Sequence, residues 1–176
     1  MKKSIFLAAL VLISAGCLAQ KANVSKARNM ADAETPDYAG ARAAIAEALQ
    51  NEETKEQANT WYVAGFIGYK EFETANLNRQ IGRNIDFDKW GAAVYESIGY
   101  WDKAYELAMI PTYDKKNKAK YDTRTPKNIL PKLQEYFVYQ PMIIAGFNAY
   151  EANNPSLAYD MFIKHCNIPD AKIFQD

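Results

Sequence analysis

Apolar residues recur every three or four positions along most of the chain, which is the spacing of one face of an α-helix. The clearest segments are residues 38–49, 54–75 and 86–109. In the third segment Trp90, Val94 and Ile98 form an apolar stripe. No run of β-branched residues alternates with polar ones, and no Asn-Gly turn joins two such runs. The pattern therefore predicts an all-α fold without a sheet.

Short polar residues and proline mark the expected starts of these helices. Thr35–Pro36 supplies a cap and a first-turn proline for the first helix. Thr54 is followed three positions later by Gln57, which matches a capping box and predicts that the second helix starts there. Asp86 or Asp88 opens the third helix, where a carboxylate is favoured by the helix dipole.

The second half of the chain combines one charged stretch with two further helical segments. Residues 111–127 carry six Lys or Arg against two Asp, and we predict a solvated loop there. Residues 128–153 have a helical pattern, but Pro141 has no N–H, so the helix should kink or restart near Tyr139–Gln140. Asn154–Pro155 then supplies a cap and a first-turn proline for a short final helix.

The N-terminus has the features of a secretory signal peptide. Two lysines precede an apolar run that is too short to cross a bilayer core of about 30 Å as a helix. Small residues at Cys17 and Ala19 favour cleavage after Ala19, which gives a signal peptide of residues 1–19 and a mature domain of residues 20–176. The alternative is a lipobox that leaves Cys17 lipidated, although Ser14 stands where Leu, Val or Ile is usual.

Composition excludes several functional classes. The 176 residues include 21 basic and 21 acidic side chains, so the chain lacks the basic excess of a nucleic-acid-binding protein. One His and two Cys leave little material for a zinc site, and no G-x-S-x-G, HExxH or CxxC motif is present. Without Cys17, Cys166 has no partner for a disulfide, and we expect it to be buried and unreactive. We therefore predict neither an enzyme nor a metal, cofactor or nucleic-acid partner.

Small residues recur at positions where they allow two antiparallel helices to pack closely. Near the C-terminus the order is Met142-x2-Ala145-Gly146-x2-Ala149-Tyr150, then Ala158-x3-Phe162-x2-His165, then Pro169. A second first-helix match is Trp61-x2-Ala64-Gly65-x2-Gly68-Tyr69. Second-helix matches are Tyr38-x2-Ala41-x3-Ile45-x2-Ala48 and Trp101-x2-Ala104-x3-Ala108. These motifs resemble the tetratricopeptide repeat family over roughly residues 22–170, and the signal peptide adds a similarity to its exported members in Bacteroidetes-type bacteria.

The resemblance implies about three divergent helix pairs stacked as an α-solenoid, with the first helix of each pair lining a concave groove. Carried over by repeat position, the groove residues are Asn59, Tyr62, Phe66, Tyr69 and Lys70 on one helix and Gln140, Ile143, Phe147, Tyr150 and Glu151 on another. The alternative is that these aromatic side chains pack between the repeats. The Lys/Asn carboxylate clamp of some chaperone-binding members is not reproduced at these positions.

The resemblance, the signal peptide and the lack of catalytic motifs together imply an exported scaffold, periplasmic or extracellular, that binds a protein or peptide segment. The alternative is an envelope component held at the membrane through a lipidated Cys17 and acting in assembly or glycan uptake. No amphipathic capping helix follows Pro169. We therefore expect either that the array is truncated or that a partner or a second copy of the chain covers the C-terminal helices.

Overall fold

The structure, a computed structural model, describes residues 21–175 and is predominantly helical. In chain order the elements are α1 (residues 21–31), α2 (Tyr38–Gln50), α3 (Ala58–Gln80), α4 (Phe87–Ala108), β1 (Thr112–Tyr113), β2 (Ala119–Lys120), α5 (Arg124–Tyr139), α6 (Pro141–Glu151) and α7 (Pro155–Cys166). Two short 3₁₀ turns follow, at Ile168–Asp170 and Lys172–Phe174. The predicted all-α class is confirmed, and the predicted signal peptide lies outside the described residues.

Helices α3 and α4 pack side by side and run antiparallel. The contacts that show this pair Tyr62 with Trp101, Gly65 with Ser97, and Phe72 with Trp90. A Cβ at Gly65 would lie 2.9 Å from the carbonyl oxygen of Ser97, and a Cβ at Gly68 would lie 2.6 Å from that of Ala93. The Ser97 hydroxyl donates a hydrogen bond to the Gly65 carbonyl at 2.9 Å. The two glycines therefore set the close spacing of this pair.

Helices α1, α3 and α5 lie next to one another and point in the same direction. Arg28 of α1 lies over the Phe66 ring, and Asp32, the residue after α1, pairs with Lys70, so both chain segments advance by four residues between the two contacts. Between α3 and α5, Tyr69 contacts Tyr136 and Phe72 contacts Tyr139, three residues further along each helix. The N-terminal ends of α3 and α5 are therefore at the same end of the molecule.

Helix α2 is held against α3 and α4 by a charged cluster centred on Arg42. The Arg42 guanidinium bonds to the carboxylates of Glu71 on α3 and Glu96 on α4. Four residues earlier, the Tyr38 hydroxyl forms a hydrogen bond with the Thr74 hydroxyl at 2.7 Å. Since the residue numbers rise on α2 as they fall on α3, these two helices are also antiparallel.

The break between α5 and α6 falls at Gln140, as the position of Pro141 predicted. Gln140 adopts a left-handed conformation with φ of 46°, and Pro141 begins the next helix. Beyond the break, α6 crosses α4 closely, because a Cβ at Gly91 would lie 3.0 Å from the Cβ of Ala145. Helix α7 then returns along α6, where the Phe162 ring fills the space beside Gly146.

The residues after α7 fold back onto α4 and α5. The Ile173 side chain is buried, and its N–H donates to the Asp102 carboxylate at 3.1 Å. The Phe174 ring makes an edge contact with Phe137 of α5. This segment, with its two 3₁₀ turns, covers part of the α4–α5 surface. The outer face of α7 stays exposed at Tyr159.

The capping box predicted at Thr54 and Gln57 is wrong. Thr54 lies in the turn before α3, and its hydroxyl donates to the Ala48 carbonyl at 2.6 Å. Gln57 precedes α3 but makes no side-chain capping bond. The Thr54 hydroxyl satisfies a free carbonyl at the end of α2, because that group is closer than the N–H groups of the following helix.

Two other expectations about helix starts have mixed outcomes. Thr35–Pro36 does not cap α2, since the Asp37 carboxylate accepts the Gly40 N–H at 2.8 Å and takes that role. The caps predicted at Asp86 and Asn154 are confirmed, and each accepts a backbone N–H from the first turn of its helix.

The predicted loop over residues 111–127 contains a short hairpin, so the expectation of no sheet is wrong. β1 pairs antiparallel with β2, with Thr112 opposite Lys120. The Asp114 carboxylate supports the turn by accepting two backbone N–H groups, and Asn117 adopts a left-handed conformation with φ of 57°. Strands of two residues are too short to show an alternating pattern, which explains the miss. Helix α5 also begins before the predicted loop ends.

Candidate functional site

The three parallel helices α1, α3 and α5 share one face with a cleft at each end, and we call this surface the α1–α3–α5 groove. Its floor is formed by Tyr62, Phe66 and Tyr69 of α3, which are three of the predicted groove residues. These side chains are only 7%, 6% and 6% exposed. The walls cover them: the Arg28 guanidinium of α1 lies 5.5 Å from the Phe66 ring centroid, and the Lys132 ammonium of α5 lies 5.1 Å from that of Tyr69.

The floor of the groove is continuous with the aromatic core. The rings of Tyr62 and Tyr69 lie against Trp101, with centroids 6.4 and 5.9 Å away, and the fully buried Tyr136 stacks on the same indole at 6.0 Å. Burial raises the pKa of the Tyr62, Tyr69 and Tyr136 hydroxyls above the ordinary tyrosine value. These phenols are therefore uncharged at neutral pH, and the side chains of Arg28 and Lys132 cover much of the floor.

At one end the groove opens into a cleft of about 500 Å³, which we call the arginine cleft. Its lining includes Arg28 from α1, Asn59 and Tyr62 from α3, and Arg124 and Asn128 from α5. Both arginines are exposed, and neither forms a salt bridge with any residue in the described range 21–175. Two cationic groups from opposite walls thus face a common opening.

The acidic residue in the arginine cleft, Asp122, is engaged locally. Its carboxylate accepts the N–H of Arg124 at 2.9 Å and the hydroxyl of Thr125 at 2.7 Å, which satisfies the first turn of α5. Burial alone would raise the pKa of Asp122, but these hydrogen bonds outweigh it and hold the pKa below its ordinary value. The arginine cleft consequently keeps a net positive charge with both guanidinium groups available to a ligand.

The opposite end of the groove contains a second cleft, of about 490 Å³, which we call the glutamate cleft. Glu73 of α3 and Glu135 of α5 line it, and the Tyr69 hydroxyl donates to Glu135 at 3.0 Å. The predicted groove residue Lys70 also lines it, but its ammonium is already paired with Glu73 and with Asp32 at 3.1 Å. Glu135 has no cationic partner within residues 21–175. The carboxylates here outnumber the cation.

An unsatisfied amide lies in the wall of the glutamate cleft. Asn76 lines the cleft and is 6% exposed, and its Oδ1 is buried without a hydrogen-bond partner among the described residues. A buried amide oxygen without a partner costs free energy. Because Oδ1 is itself buried, it is not presented to a ligand in the glutamate cleft.

The second set of predicted groove residues lies elsewhere. Its members are Gln140, Ile143, Phe147, Tyr150 and Glu151. The first sits at the break before α6 and the other four lie on α6. Phe147 and Tyr150 are 58% and 67% exposed, and Phe147 contacts Phe162 edge to face at 5.4 Å. No hydrogen bond, ion pair or ring contact in the described part of the chain joins this set to the groove floor. The break at Gln140 separates α6 from α5, so the two sets do not form one surface.

Sequence reasoning missed the wall residues Arg28, Arg124, Asn128 and Glu135. The segment that became α1 matched the repeat pattern poorly, and the first turn of α5 was assigned to the charged loop. The helix from residue 128 onward was predicted, and the helical spacing of Ile129, Leu133 and Tyr136, all buried, could have identified its inner face. With α5 placed beside α3, the face of α5 away from these buried residues would have been identified as a wall of the α1–α3–α5 groove.

The structure tests the prediction for Cys166 but not the one for Cys17. Cys166 is exposed at the last residue of α7, so the expectation that it is buried is wrong. Its position at the end of the helix turns it away from the α6–α7 interface. The possible lipidation site Cys17 lies outside the described residues.

Residues 21–175 contain neither a metal-binding cluster nor a membrane-spanning helix. No group of three or more His, Cys, Asp or Glu side chains there is placed to hold a metal ion. No helix in the same range combines the length and hydropathy needed to cross a membrane. Comparisons with protein-family models, curated proteins and solved structures found no match. The α1–α3–α5 groove and its two clefts are the features from which a function is inferred.

Proposed function

We propose that this chain is an exported scaffold that binds a segment of a protein or peptide in the α1–α3–α5 groove, without catalysing a reaction. The observation that carries the proposal is the groove itself: a row of aromatic side chains on α3, largely covered by Arg28 and Lys132, lies between two open polar clefts. Aromatic side chains between separated polar groups suit a bound peptide segment in which apolar and polar side chains alternate.

The helix pairs support a tetratricopeptide-like arrangement as part of this proposal. α1 with α2, α3 with α4, and the broken helix α5–α6 with α7 supply three successive pairs. Gly65 and Gly146 stand where the resemblance places small residues, and each faces an aromatic ring of the partner helix at a distance that excludes a Cβ. In such an array the first helices line the concave face, which here corresponds to the floor and walls of the groove.

Export is proposed from the N-terminal sequence. A lysine pair, a short apolar run and small residues up to Ala19 supply the parts of a signal peptide. Mass spectrometry of the mature protein distinguishes the two kinds of processing. A chain that starts at Gln20 indicates cleavage after Ala19, whereas an acylated N-terminal Cys17 indicates a lipid anchor. An unprocessed Met1 would contradict export.

The groove is tested by filling one cleft with a large side chain. Asn59 and Asn128 are exposed residues on facing walls of the arginine cleft, so Asn59→Trp and Asn128→Trp reduce its free volume without disturbing buried groups. Ser156→Trp places the same side chain at an exposed position on α7 and serves as the matched control. Each variant is checked by circular dichroism for wild-type helicity and melting temperature before use.

The measurement is chemical crosslinking of the tagged protein in its native envelope, followed by mass spectrometry. We expect the wild type and the Ser156→Trp control to crosslink to the same set of proteins. Asn59→Trp and Asn128→Trp should both lose these crosslinks. Equal recovery from all four proteins would refute the groove as the binding site. Recovery lost equally from the Ser156→Trp control would refute it as well.

A further inference from the structure

The two clefts of the groove carry opposite charges. In the arginine cleft, Arg28 and Arg124 are without a salt-bridge partner among the described residues, and Asp122 is engaged by the backbone of α5. In the glutamate cleft, Glu73 and Glu135 face a single cation, Lys70, which is shared with another carboxylate. A ligand that lies along the groove therefore meets positive charge at one end and negative charge at the other.

The helix dipoles strengthen the same polarity. α3 and α5 are parallel, and both begin at the arginine cleft and end at the glutamate cleft. An α-helix carries about half a positive charge at its N-terminus and half a negative charge at its C-terminus, and side by side two such helices add. The helix dipoles therefore make the arginine cleft more positive and the glutamate cleft more negative, as the side chains do.

The separation of the clefts sets the length of a ligand that reaches both. Tyr62 in one cleft and Glu73 in the other lie on the same helix, 11 positions apart, which corresponds to about 17 Å at 1.5 Å per residue. An extended chain covers that distance in about five residues at roughly 3.3 Å each. The distance is about twice the Debye length at physiological salt, so each cleft acts on its own nearest charge.

We infer that the groove binds an extended peptide segment that has an acidic side chain in the arginine cleft and a basic side chain, about five residues away, in the glutamate cleft. This inference rests on the proposed function and specifies its ligand. The acidic side chain pairs with Arg28 and Arg124, and the basic one pairs with Glu135.

The inference is tested with three fluorescent octapeptides of identical composition. The first has two glutamates at its N-terminus, four neutral residues, and two lysines at its C-terminus. The second has the reverse order, and the third has the four charges alternating. Binding to the mature protein is measured by fluorescence anisotropy at physiological salt. We expect one of the two block orders to bind at least about tenfold more tightly than the alternating peptide.

Charge-reversal variants test whether the charged side chains of the two clefts bind the peptide. The double variant Arg28→Glu and Arg124→Glu should weaken binding of the preferred peptide at least about tenfold, and Glu135→Lys should weaken it as well. Lys26→Glu is the matched control, because Lys26 is exposed and two residues from Arg28, which places it on the other side of α1. It should leave binding within about twofold.

The outcomes separate this inference from the proposed function. Equal binding of all three peptides, no measurable binding of any, or an equal effect of Lys26→Glu overturns the charge polarity. In those cases, loss of the crosslinked proteins in Asn59→Trp and Asn128→Trp still supports the groove as a binding site. If those two variants have no effect either, the proposed function fails together with the inference.

Discussion

The close approach of α3 and α4 at Gly68 gives a quantitative test of the fold. A methyl group at Gly68 would lie 2.6 Å from the Ala93 carbonyl oxygen and 2.6 Å from the Ser97 hydroxyl. Ordinary contact begins at 3.4 Å, so the helices must separate by about 0.8 Å to accept it. The carbonyl belongs to the backbone of α4 and cannot rotate away as a flexible side chain does.

The expected cost follows from two opposing terms. Alanine in place of glycine favours a helix by about 1 kcal/mol, whereas overpacking a tight contact costs about 1–3 kcal/mol. Because the contact is with backbone, we take the upper end, which leaves Gly68→Ala less stable by about 2 kcal/mol. For a chain of this size that corresponds to a melting temperature lower by about 4–8 °C.

Gly99 provides the matched control within the partner helix. It is an exposed residue of α4, and a Cβ there would meet no atom within 4 Å. Gly99→Ala therefore keeps the gain in helix propensity without the overpacking, and its melting temperature should rise by about 2 °C. Both variants are measured by thermal unfolding followed by circular dichroism at 222 nm. A Gly68→Ala protein as stable as the wild type would refute the spacing assigned to this pair.

Three further predictions concern single side chains. Arg42→Ala should destabilise the protein by about 1–2 kcal/mol in urea unfolding, because Glu71 and Glu96 lose their shared cation; an unchanged midpoint would contradict the role of the cluster. Asp122→Ala should cost about 1 kcal/mol at pH 7, since a depressed pKa means that the ionised form stabilises the fold. That difference should shrink as the pH falls below about 4, through the lowered folded pKa, and a difference independent of pH would refute the assignment. Cys166 should react with a thiol reagent in the native protein as fast as in urea, and strong protection would contradict its exposure.

The helices themselves follow from the sequence wherever the apolar period is long and uninterrupted. The stripe through Trp90, Val94 and Ile98 became one face of α4, and all three residues are buried. The restart at Pro141 was also predictable, because proline cannot donate the backbone hydrogen bond that a continuous helix needs. Local covalent chemistry determines both features, so a single sequence is enough to show them.

Features that depend on long-range contacts were less accessible. The start of α3 was misplaced because the Thr54 hydroxyl bonds backward to α2, an outcome set by the turn between the helices. The walls of the groove come from residues 40 or more positions apart, such as Arg28 and Arg124, and no local spacing connects them. The floor residues were identified from the repeat resemblance, but their low exposure depends on α5, which the pattern had assigned in part to a loop.

The aromatic floor also gives the groove an intrinsic spectroscopic signal. Tyr62 and Tyr69 lie against Trp101, an indole that is fully buried and bonded through its N–H to the Tyr62 carbonyl. If the groove binds a ligand as proposed, occupancy should change the packing around these two phenols and thereby the tryptophan emission and the near-ultraviolet circular dichroism. Occupancy would then be measurable in the unlabelled protein, without any probe attached to ligand or scaffold.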